Sequence, residues 1–89
     1  MKQIALNAPV SFEMLVTKNE FTIGRKQEWV DGVISFNKMI GRSHCKIIKQ
    51  GNAYAIIDLN SSNGTYVNKV RLQPDQLCPL KNGDVVKLA

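Results

Sequence analysis

Short apolar segments alternate with turn-forming segments along the whole chain. Segments such as "FTIG", "HCKIIK" and "AYAIIDL" are rich in β-branched and aromatic residues, and clusters such as "TKNE", "KQGN" and "KNGD" separate them. No window of helical length keeps an apolar i, i+3, i+4, i+7 pattern. The pattern therefore predicts strands throughout, at residues 11–16, 21–24, 32–36, 44–49, 53–59, 65–68, 76–80 and 85–89.

Many short strands at this spacing are typical of an all-β fold. We expect a β-sandwich of two antiparallel sheets, with a small barrel as the alternative, and binding loops gathered at one end. The clearest hairpin is "HCKIIKQGNAYAIIDL", with Gly51 and Asn52 at its tip. In its two strands, residues 47–48 and 56–57 are isoleucine pairs that interrupt strict alternation, which indicates central strands with one well-buried face.

The composition limits the chain to one small globular domain. It has 89 residues, of which 44% are hydrophobic, and a net charge of +5. The charge favours an anionic partner without saying which kind. Cys45, Cys78 and a single histidine are too few soft ligands for a structural zinc site, so we expect no metal and no cofactor. No apolar run approaches the roughly 20 residues of a membrane span, and a cytoplasmic domain is the expectation.

Three segments carry residue types suited to binding an anion: "IGRK" (23–26), "GRSHC" (41–45) and "NSSNGTYVN" (60–68). Each lies at a predicted strand end or in a loop. Arg25 follows a strand directly, and "SSNGT" combines small hydroxyl and amide side chains with a glycine, as in loops that present backbone N–H groups to an anion. A phosphoryl group, with about two negative charges and three acceptor oxygens, matches such donors.

A catalytic interpretation is less favoured. Ser43 precedes His44 directly, so on a strand the two side chains would point to opposite faces, and no carboxylate is placed to orient the histidine. The aspartates are spread along the chain and most simply serve turns, so we expect neither an enzyme nor a metal site. Trp29 lies in a loop, where it either caps the core or forms an exposed anchor.

Four blocks in order, "IGR", "GRSH", "DLNSSNGTYVN" and "LKNGDVV", resemble the forkhead-associated (FHA) domain over residues 21 to 89. That family is a sandwich of about eleven strands that recognises phosphothreonine in partner proteins. The resemblance therefore implies ten to eleven short strands, a phosphothreonine-dependent interaction module in Ser/Thr kinase signalling, and a phosphorylated protein or peptide as the partner.

The resemblance also assigns roles residue by residue. Arg25 matches the arginine that binds phosphate. Ser62 matches a hydroxyl residue that helps to hold the phosphorylated side chain, and Asn63 matches the asparagine that bonds the peptide main chain. Residues expected to support the site without binding directly are Gly24, His44 as a brace between loops, Gly64, Thr65, and Asn68 as a buried bridging amide.

The main departure from the family pattern is Gly41. The family motif is Ser-Arg-x-His, and its serine hydroxyl donates to the phosphate, whereas here Gly41 precedes Arg42. Losing one hydrogen bond to a charged group costs roughly 1.5–3 kcal/mol, about ten- to a hundredfold in affinity. The backbone N–H groups of Gly41 and Arg42, a water, an inward swing of Arg42, or Ser43 after a register shift are the candidate replacements. We expect a phosphate site that is present but weakened.

A second departure concerns the last predicted strand, residues 85–89. Family members carry one more strand after it, so either the fold ends here or a final strand lies outside these 89 residues. Without it the sheet would have an unpaired edge, which is a template for dimerisation. We expect one domain over residues 1–89, as a piece of a larger protein.

Two other functions remain as alternatives. The first is a degenerate FHA-like domain that binds its partner without phosphate, which Gly41 motivates. The second is a small basic β-barrel that binds single-stranded nucleic acid. It would need exposed aromatic residues for stacking, and the chain has only three Phe, two Tyr and one Trp. We therefore expect neither a nucleic acid nor a membrane as the partner.

Overall fold

The computed structural model describes the backbone of residues 2–8, 10–35 and 38–89, with side chains from residue 16 onward. Within these ranges ten strands and a one-turn 3₁₀ helix (Gln27–Trp29) follow one another. The strands are β1 (Lys2–Ala8), β2 (Val10–Val16), β3 (Glu20–Gly24), β4 (Gly32–Val33), β5 (Cys45–Gln50), β6 (Ala53–Asp58), β7 (Thr65–Val67), β8 (Val70–Arg71), β9 (Cys78–Leu80) and β10 (Val86–Leu88).

The strands form two five-stranded sheets, in the orders β2-β1-β10-β7-β8 and β4-β3-β5-β6-β9. The all-β sandwich predicted from the sequence is therefore confirmed. Of the ten strands described, β4 and β8 contain only two residues each, and the other eight contain three or more. The sheets are not purely antiparallel, since β1 pairs with β10 and β3 pairs with β4 in parallel.

The central hairpin, β5–β6, has the register that the sequence predicts. Gln50 faces Ala53 across the turn, and Gly51 has a φ of 62°. Glycine adopts this backbone region without steric cost, and a glycine at the first central position is what a type II′ hairpin turn requires. Ile47 and Ile56 are fully buried. One face of each strand is thus in the core.

The core lies between the two sheets. Side chains from both sheets form one buried apolar cluster, which comprises Val16, Phe21, Ile23, Ile34, Ile40, Cys45, Ile47, Ile56, Val67, Val86 and Leu88. Burying side chains of this size stabilises a fold by roughly 1.5–3 kcal/mol each before the loss of chain entropy is counted. Burial raises the pKa of the Cys45 thiol, so Cys45 behaves here as an apolar core residue.

The structure departs from the predicted elements in several places, of which four bear on the architecture. The first strand, Lys2–Ala8, was not predicted, because "KQIALNA" mixes polar and helix-favouring residues. The predicted strand 32–36 ends at Val33, and Phe36 lies outside the described residues. A 3₁₀ helix replaces part of the loop before it. The expected open edge beside the last strand is occupied, because β10 lies between β1 and β7.

Two further features bear on function. Among the helices in the described part of the chain, none is long and apolar enough to cross a membrane. The described side chains also contain no group of three or more His, Cys, Asp or Glu that could hold a metal ion.

Candidate anion-binding site

Strand β3 ends against the loop that contains Gly41 and Arg42. The Arg25 N–H donates to the carbonyl of Gly41 at 2.9 Å, and the Lys26 N–H donates to the carbonyl of Arg42 at 3.2 Å. A Cβ atom at Gly24 would lie 2.2 Å from the Arg42 carbonyl oxygen. Only glycine permits this approach, so Gly24 is the residue that brings the two loops together.

The Arg25 side chain is held at the mouth of a cavity. Its Nε donates to the carbonyl of Ile40 at 3.1 Å, which fixes the guanidinium while leaving its terminal N–H groups for a ligand. The adjoining cavity has a volume of about 480 Å³ and is lined by Arg25, Lys26, Gln27, Glu28, Val33, Ser35 and Arg42. Three cations and one carboxylate therefore surround a space large enough for a phosphoryl group.

Lys26 is partly occupied by its own neighbours. Its Nζ lies 3.6 Å from a Glu28 carboxylate oxygen and 5.0 Å from the centroid of the Trp29 ring. Both contacts are at the surface, where such pairs contribute at most about 1 kcal/mol. Arg25 and Arg42 are the other two cations of the cavity, and neither forms an ion pair with a described carboxylate. The strongest uncompensated positive charge in the cavity thus comes from the two arginines.

His44 ties two loops together from the core. Its ring is completely buried, Nδ1 accepts the Gly41 N–H at 2.8 Å, and Nε2 lies 2.8 Å from the Gly64 carbonyl. An amide N–H can only donate and a carbonyl can only accept, so the ring must be neutral with its proton on Nε2. Burial lowers the pKa of His44, against smaller opposing contributions from the Gly64 hydrogen bond and the Asp58 charge.

The loop after β6 is organised by the buried carboxylate of Asp58. One carboxylate oxygen accepts the hydroxyls of Ser61 and Thr65 at 2.5 and 2.7 Å, and the other accepts the Ser61 N–H at 3.1 Å. The Ser61 hydroxyl in turn accepts the Gly64 N–H. Sequence reasoning assigned Asp58 only to a turn. The signal it missed is a serine three residues after an aspartate, which favours side-chain-to-backbone bonding in loops.

Gly64 completes this loop. Its φ is 88°, a backbone conformation that favours glycine, and an added Cβ would lie 2.8 Å from Nε of Arg71, so the Arg71 side chain would have to move. Beyond it, Thr65 is completely buried and begins β7. These two residues therefore fix the point at which the loop returns to the sheet.

Asn63 connects this loop to the loop that holds Arg25. Its side-chain Nδ2 donates to the carbonyl of Met39 at 2.9 Å, one residue before the carbonyl that orients Arg25. Ser62 is exposed at the loop surface. Both lie outside the lining of the Arg25 cavity, in the loop beside it. The structure thus places the phosphate-side and peptide-side candidates in adjacent loops at one end of the sandwich.

The segment 41–43 contributes less than the sequence suggested. The Gly41 N–H is engaged by His44, so it is not a replacement donor for an anion. Arg42 lines the cavity. Among the proposed replacements for the missing serine hydroxyl, its side chain is the one that lies beside the cavity. Ser43 is half-buried outside the cavity lining, and the neighbouring ring of His44 has both nitrogens occupied, so the two form no nucleophile–base pair.

Three further positions correct or extend the sequence-based assignments. Asn68 does bridge two turns, since it bonds the Asp84 carboxylate and the Val85 N–H, but it is exposed and not buried. Its φ is 50°, and it lies in a turn at the surface. Trp29 is 56% exposed, which excludes the core-capping alternative. Ser35 lines the cavity and was missed, because "GVISF" reads as a plain strand.

A two-sheet sandwich that gathers oriented arginines and a glycine-rich loop at one end belongs to the class of β-domains that bind anions through their loops. The family model for the FHA domain matches residues 21–89. The chain belongs to the FHA family.

Known relatives are much longer than this chain. It is 39% identical over 77 residues to the E3 ubiquitin-protein ligase CHFR of Xenopus tropicalis, a match that covers 85% of the chain and 12% of the ligase. It is 33% identical over 75 residues to the probable E3 ubiquitin-protein ligase dma1 of Schizosaccharomyces pombe, covering 74% of the chain and 28% of that protein. The chain thus spans about an eighth of the length of the first relative.

Solved structures match over most of the chain. A structure of Mycobacterium tuberculosis EmbR in complex with a low-affinity phosphopeptide superposes with a TM-score of 0.77 at 26% identity, covering 97% of this chain and 21% of EmbR. A structure from work on phosphothreonine-dependent FHA domain interactions superposes with a TM-score of 0.72 at 29% identity, covering 89% of this chain and 75% of the other.

Proposed function

We propose that this domain binds a phosphothreonine-containing segment of a partner protein. The observation that carries the proposal is the cavity of about 480 Å³ beside Arg25, whose guanidinium is pre-oriented by the Ile40 carbonyl. A guanidinium held in place loses little freedom on binding, and its charge-assisted bonds to phosphate are roughly twice as strong as neutral ones. Two similar solved structures, EmbR with a low-affinity phosphopeptide and a structure from work on phosphothreonine-dependent FHA domain interactions, support the same ligand class.

Each predicted residue except Ser43 has a place in this proposal. Arg25 binds the phosphate directly, and Arg42 supplies the second cation of the cavity. Ser62 and Asn63 contact the phosphorylated residue and the peptide main chain from the adjacent loop. The loops are shaped and supported by Gly24, His44, Gly64 and Thr65. At the opposite end of β7, Asn68 links two turns through its side-chain amide.

Gly41 makes this site weaker than a site with serine at the same position. Glycine has no hydroxyl to offer, and its N–H is already donated to His44. The loss of one donor to a charged acceptor corresponds to about a ten- to hundredfold lower affinity. Arg42 offsets part of this loss by charge.

In the longer protein, the domain would bring the rest of the chain to a partner that a Ser/Thr kinase has marked. The relatives that carry such a domain include ubiquitin ligases, so the absence of catalysis that we propose applies to this domain and not to the whole protein. We expect it to act in the cytoplasm. Dimerisation through a strand edge stays untested, but the edge beside β10 that motivated it is paired with β1.

The test is a fluorescence titration with a phosphothreonine peptide pool, its phosphoserine counterpart and the unphosphorylated pool. Three proteins are compared: the unaltered domain, Arg25→Gln, and Lys81→Gln as a control that removes one exposed positive charge in the turn before β10. We expect selective binding of phosphothreonine that Arg25→Gln weakens tenfold or more and Lys81→Gln leaves unchanged. Equal binding of all three pools would overturn the proposal.

A phosphate-independent interaction is the second candidate, and the engaged N–H of Gly41 is the observation that favours it. The same titration separates the two, because a phosphate-independent site would bind the phosphorylated and unphosphorylated pools alike and would bind them to Arg25→Gln as tightly as to the unaltered domain. Nucleic-acid binding is less favoured. Of the aromatic side chains described, Trp29 is exposed, Phe21 is buried, and the two tyrosines are half-buried, which leaves little surface for base stacking.

A further inference from the structure

A row of three side chains crosses the outer face of one sheet. In the register of β8, β7 and β10, Tyr66 is the direct neighbour of Arg71 on one side and of Lys87 on the other. The residues before and after Tyr66 and Lys87 are buried, so these two side chains point away from the core. Arg71 and Lys87 are exposed.

The tyrosine ring lies between the two cations, within reach of a weak cation–π contact to each. Cζ of Arg71 lies 6.0 Å from the ring centroid, and Nζ of Lys87 lies 5.6 Å from it. Neither cation forms an ion pair with any described carboxylate; the three ion pairs in the described residues use other lysines. The row is thus a concentration of positive charge without a counter-ion in the part of the domain that the structure describes.

The row is continuous with the proposed peptide-binding loop. The Tyr66 hydroxyl lies 3.5 Å from the carbonyl oxygen of Asn63, and the Arg71 side chain packs directly over Gly64, whose missing Cβ would be 2.8 Å from its Nε. A peptide that leaves Asn63 in this direction would therefore pass over the row.

We propose that Arg71, Tyr66 and Lys87 bind acidic side chains of the same phosphorylated partner, close to its phosphothreonine. The inference rests on the proposed phosphopeptide function. Two like-charged groups flanking an aromatic ring attract carboxylates, because each carboxylate relieves their mutual repulsion. Asp and Glu residues beside the phosphothreonine would thus raise the affinity that Gly41 has lowered. The net charge of +5 adds long-range attraction to the same segment.

The test compares two pairs of phosphothreonine peptides. In each pair, one peptide carries three glutamates beside the phosphothreonine and the other carries three glutamines. The three residues precede the phosphothreonine in the first pair and follow it in the second. At low salt we expect the acidic peptide to bind the unaltered domain about three- to tenfold more tightly on one of the two sides, with the advantage reduced at high salt. The variant Arg71→Gln/Lys87→Gln should lose the advantage. The variant Lys49→Gln/Lys81→Gln, which removes the same charge elsewhere, should keep it.

Because Arg71 packs over Gly64, the glutamine peptide serves as an internal check on the loop. If the double variant binds that peptide as the unaltered domain does, its loss of the acidic advantage supports the inference. If it binds both peptides weakly, Lys87→Gln alone decides, since the atoms nearest to a Cβ at Gly64 belong to Arg71 and not to Lys87. An acidic advantage that survives Lys87→Gln and the double variant, or no advantage on either side, overturns the inference. If Arg25→Gln bound the phosphothreonine peptides as tightly as the unaltered domain, the proposed function itself would be overturned.

Discussion

The backbone N–H of Gly41 donates to Nδ1 of His44 at 2.8 Å, while Nε2 of the same ring bonds the carbonyl of Gly64. One buried ring therefore spans the arginine loop and the glycine-rich loop. Position 41 contributes to this link through its backbone N–H, which any residue except proline can supply. A serine there could support the ring and bind an anion at once, whereas the glycine of this chain supports the ring alone.

The state of His44 predicts a pH dependence of stability. Burial lowers its pKa below the ordinary value of 6.5, so above pH 6.5 the ring is neutral in both the folded and unfolded chain and contributes no pH dependence. As the pH falls below 6.5, His44 binds a proton in the unfolded chain but stays neutral in the folded domain. The free energy of unfolding should then fall by up to about 1.4 kcal/mol per pH unit until the folded pKa is reached.

Chemical denaturation at pH values from 7.5 to 4.5 measures this effect, and imidazole nitrogen shifts report the tautomer. We expect a neutral ring with its proton on Nε2 at pH 7. Asp31, whose pKa is lowered by hydrogen bonds from Lys18 and from the Thr22 N–H, acts in a separate window below about pH 3.8. A ring that protonates at or above pH 6.5 in the folded domain would contradict the assignment.

Asp58→Asn should destabilise the domain and loosen the peptide-side loop. The carboxylate accepts two hydroxyls and one N–H, and an amide can keep only one acceptor oxygen, so its NH₂ would face the Ser61 N–H or the hydroxyls. We expect a loss of about 1–3 kcal/mol in the free energy of unfolding. Asp75→Asn is the matched control, because Asp75 is exposed and asparagine tolerates its positive φ. Equal stability of the two variants would argue against the role of Asp58.

Gly24→Ala and Gly41→Ala should differ sharply in stability. A Cβ at Gly24 would sit 2.2 Å from a backbone oxygen of Arg42, whereas one at Gly41 would meet its nearest atom, Nδ1 of His44, at 3.4 Å. Forcing backbone apart in a packed region costs typically 1–3 kcal/mol or more, and an ordinary contact costs little. Thermal unfolding of the two variants tests this difference. A Gly24→Ala domain as stable as Gly41→Ala would show that the loops do not approach as closely as described.

How much could be predicted from the sequence differs between strands and loops. Strands such as β5 and β6 could be predicted because their apolar residues and the Gly51 turn act locally. Strand β1 could not, because "KQIALNA" has weak strand preference and is ordered by pairing with β2 and β10. Its position also changes the expected edge of β10, which no local pattern encodes.

The same division holds for the site. Arg25, His44 and Asn63 could be identified because the motif spacing carries them. The Gly24 contact, the Ile40 carbonyl that orients Arg25, and Ser35 in the cavity depend on loops that meet only in the folded chain. Hydrogen bonds made by main-chain groups leave no trace in residue types, so the donation of the Gly41 N–H to the His44 ring could not be read from the sequence either.

Gly41→Ser should strengthen phosphopeptide binding where Gly41→Ala does not. The geometry at position 41 has room for a Cβ, its φ is not in the left-handed region, and the His44 bond uses only the main chain, so the fold should accept either residue. The serine hydroxyl adds a donor to a doubly charged acceptor, and we expect about tenfold or more in affinity for a phosphothreonine peptide. The alanine variant separates the hydroxyl from the added volume. If serine and alanine bind equally, then position 41 does not contact the phosphate, and the lowered affinity assigned to Gly41 must be sought at Arg25 and Arg42 instead.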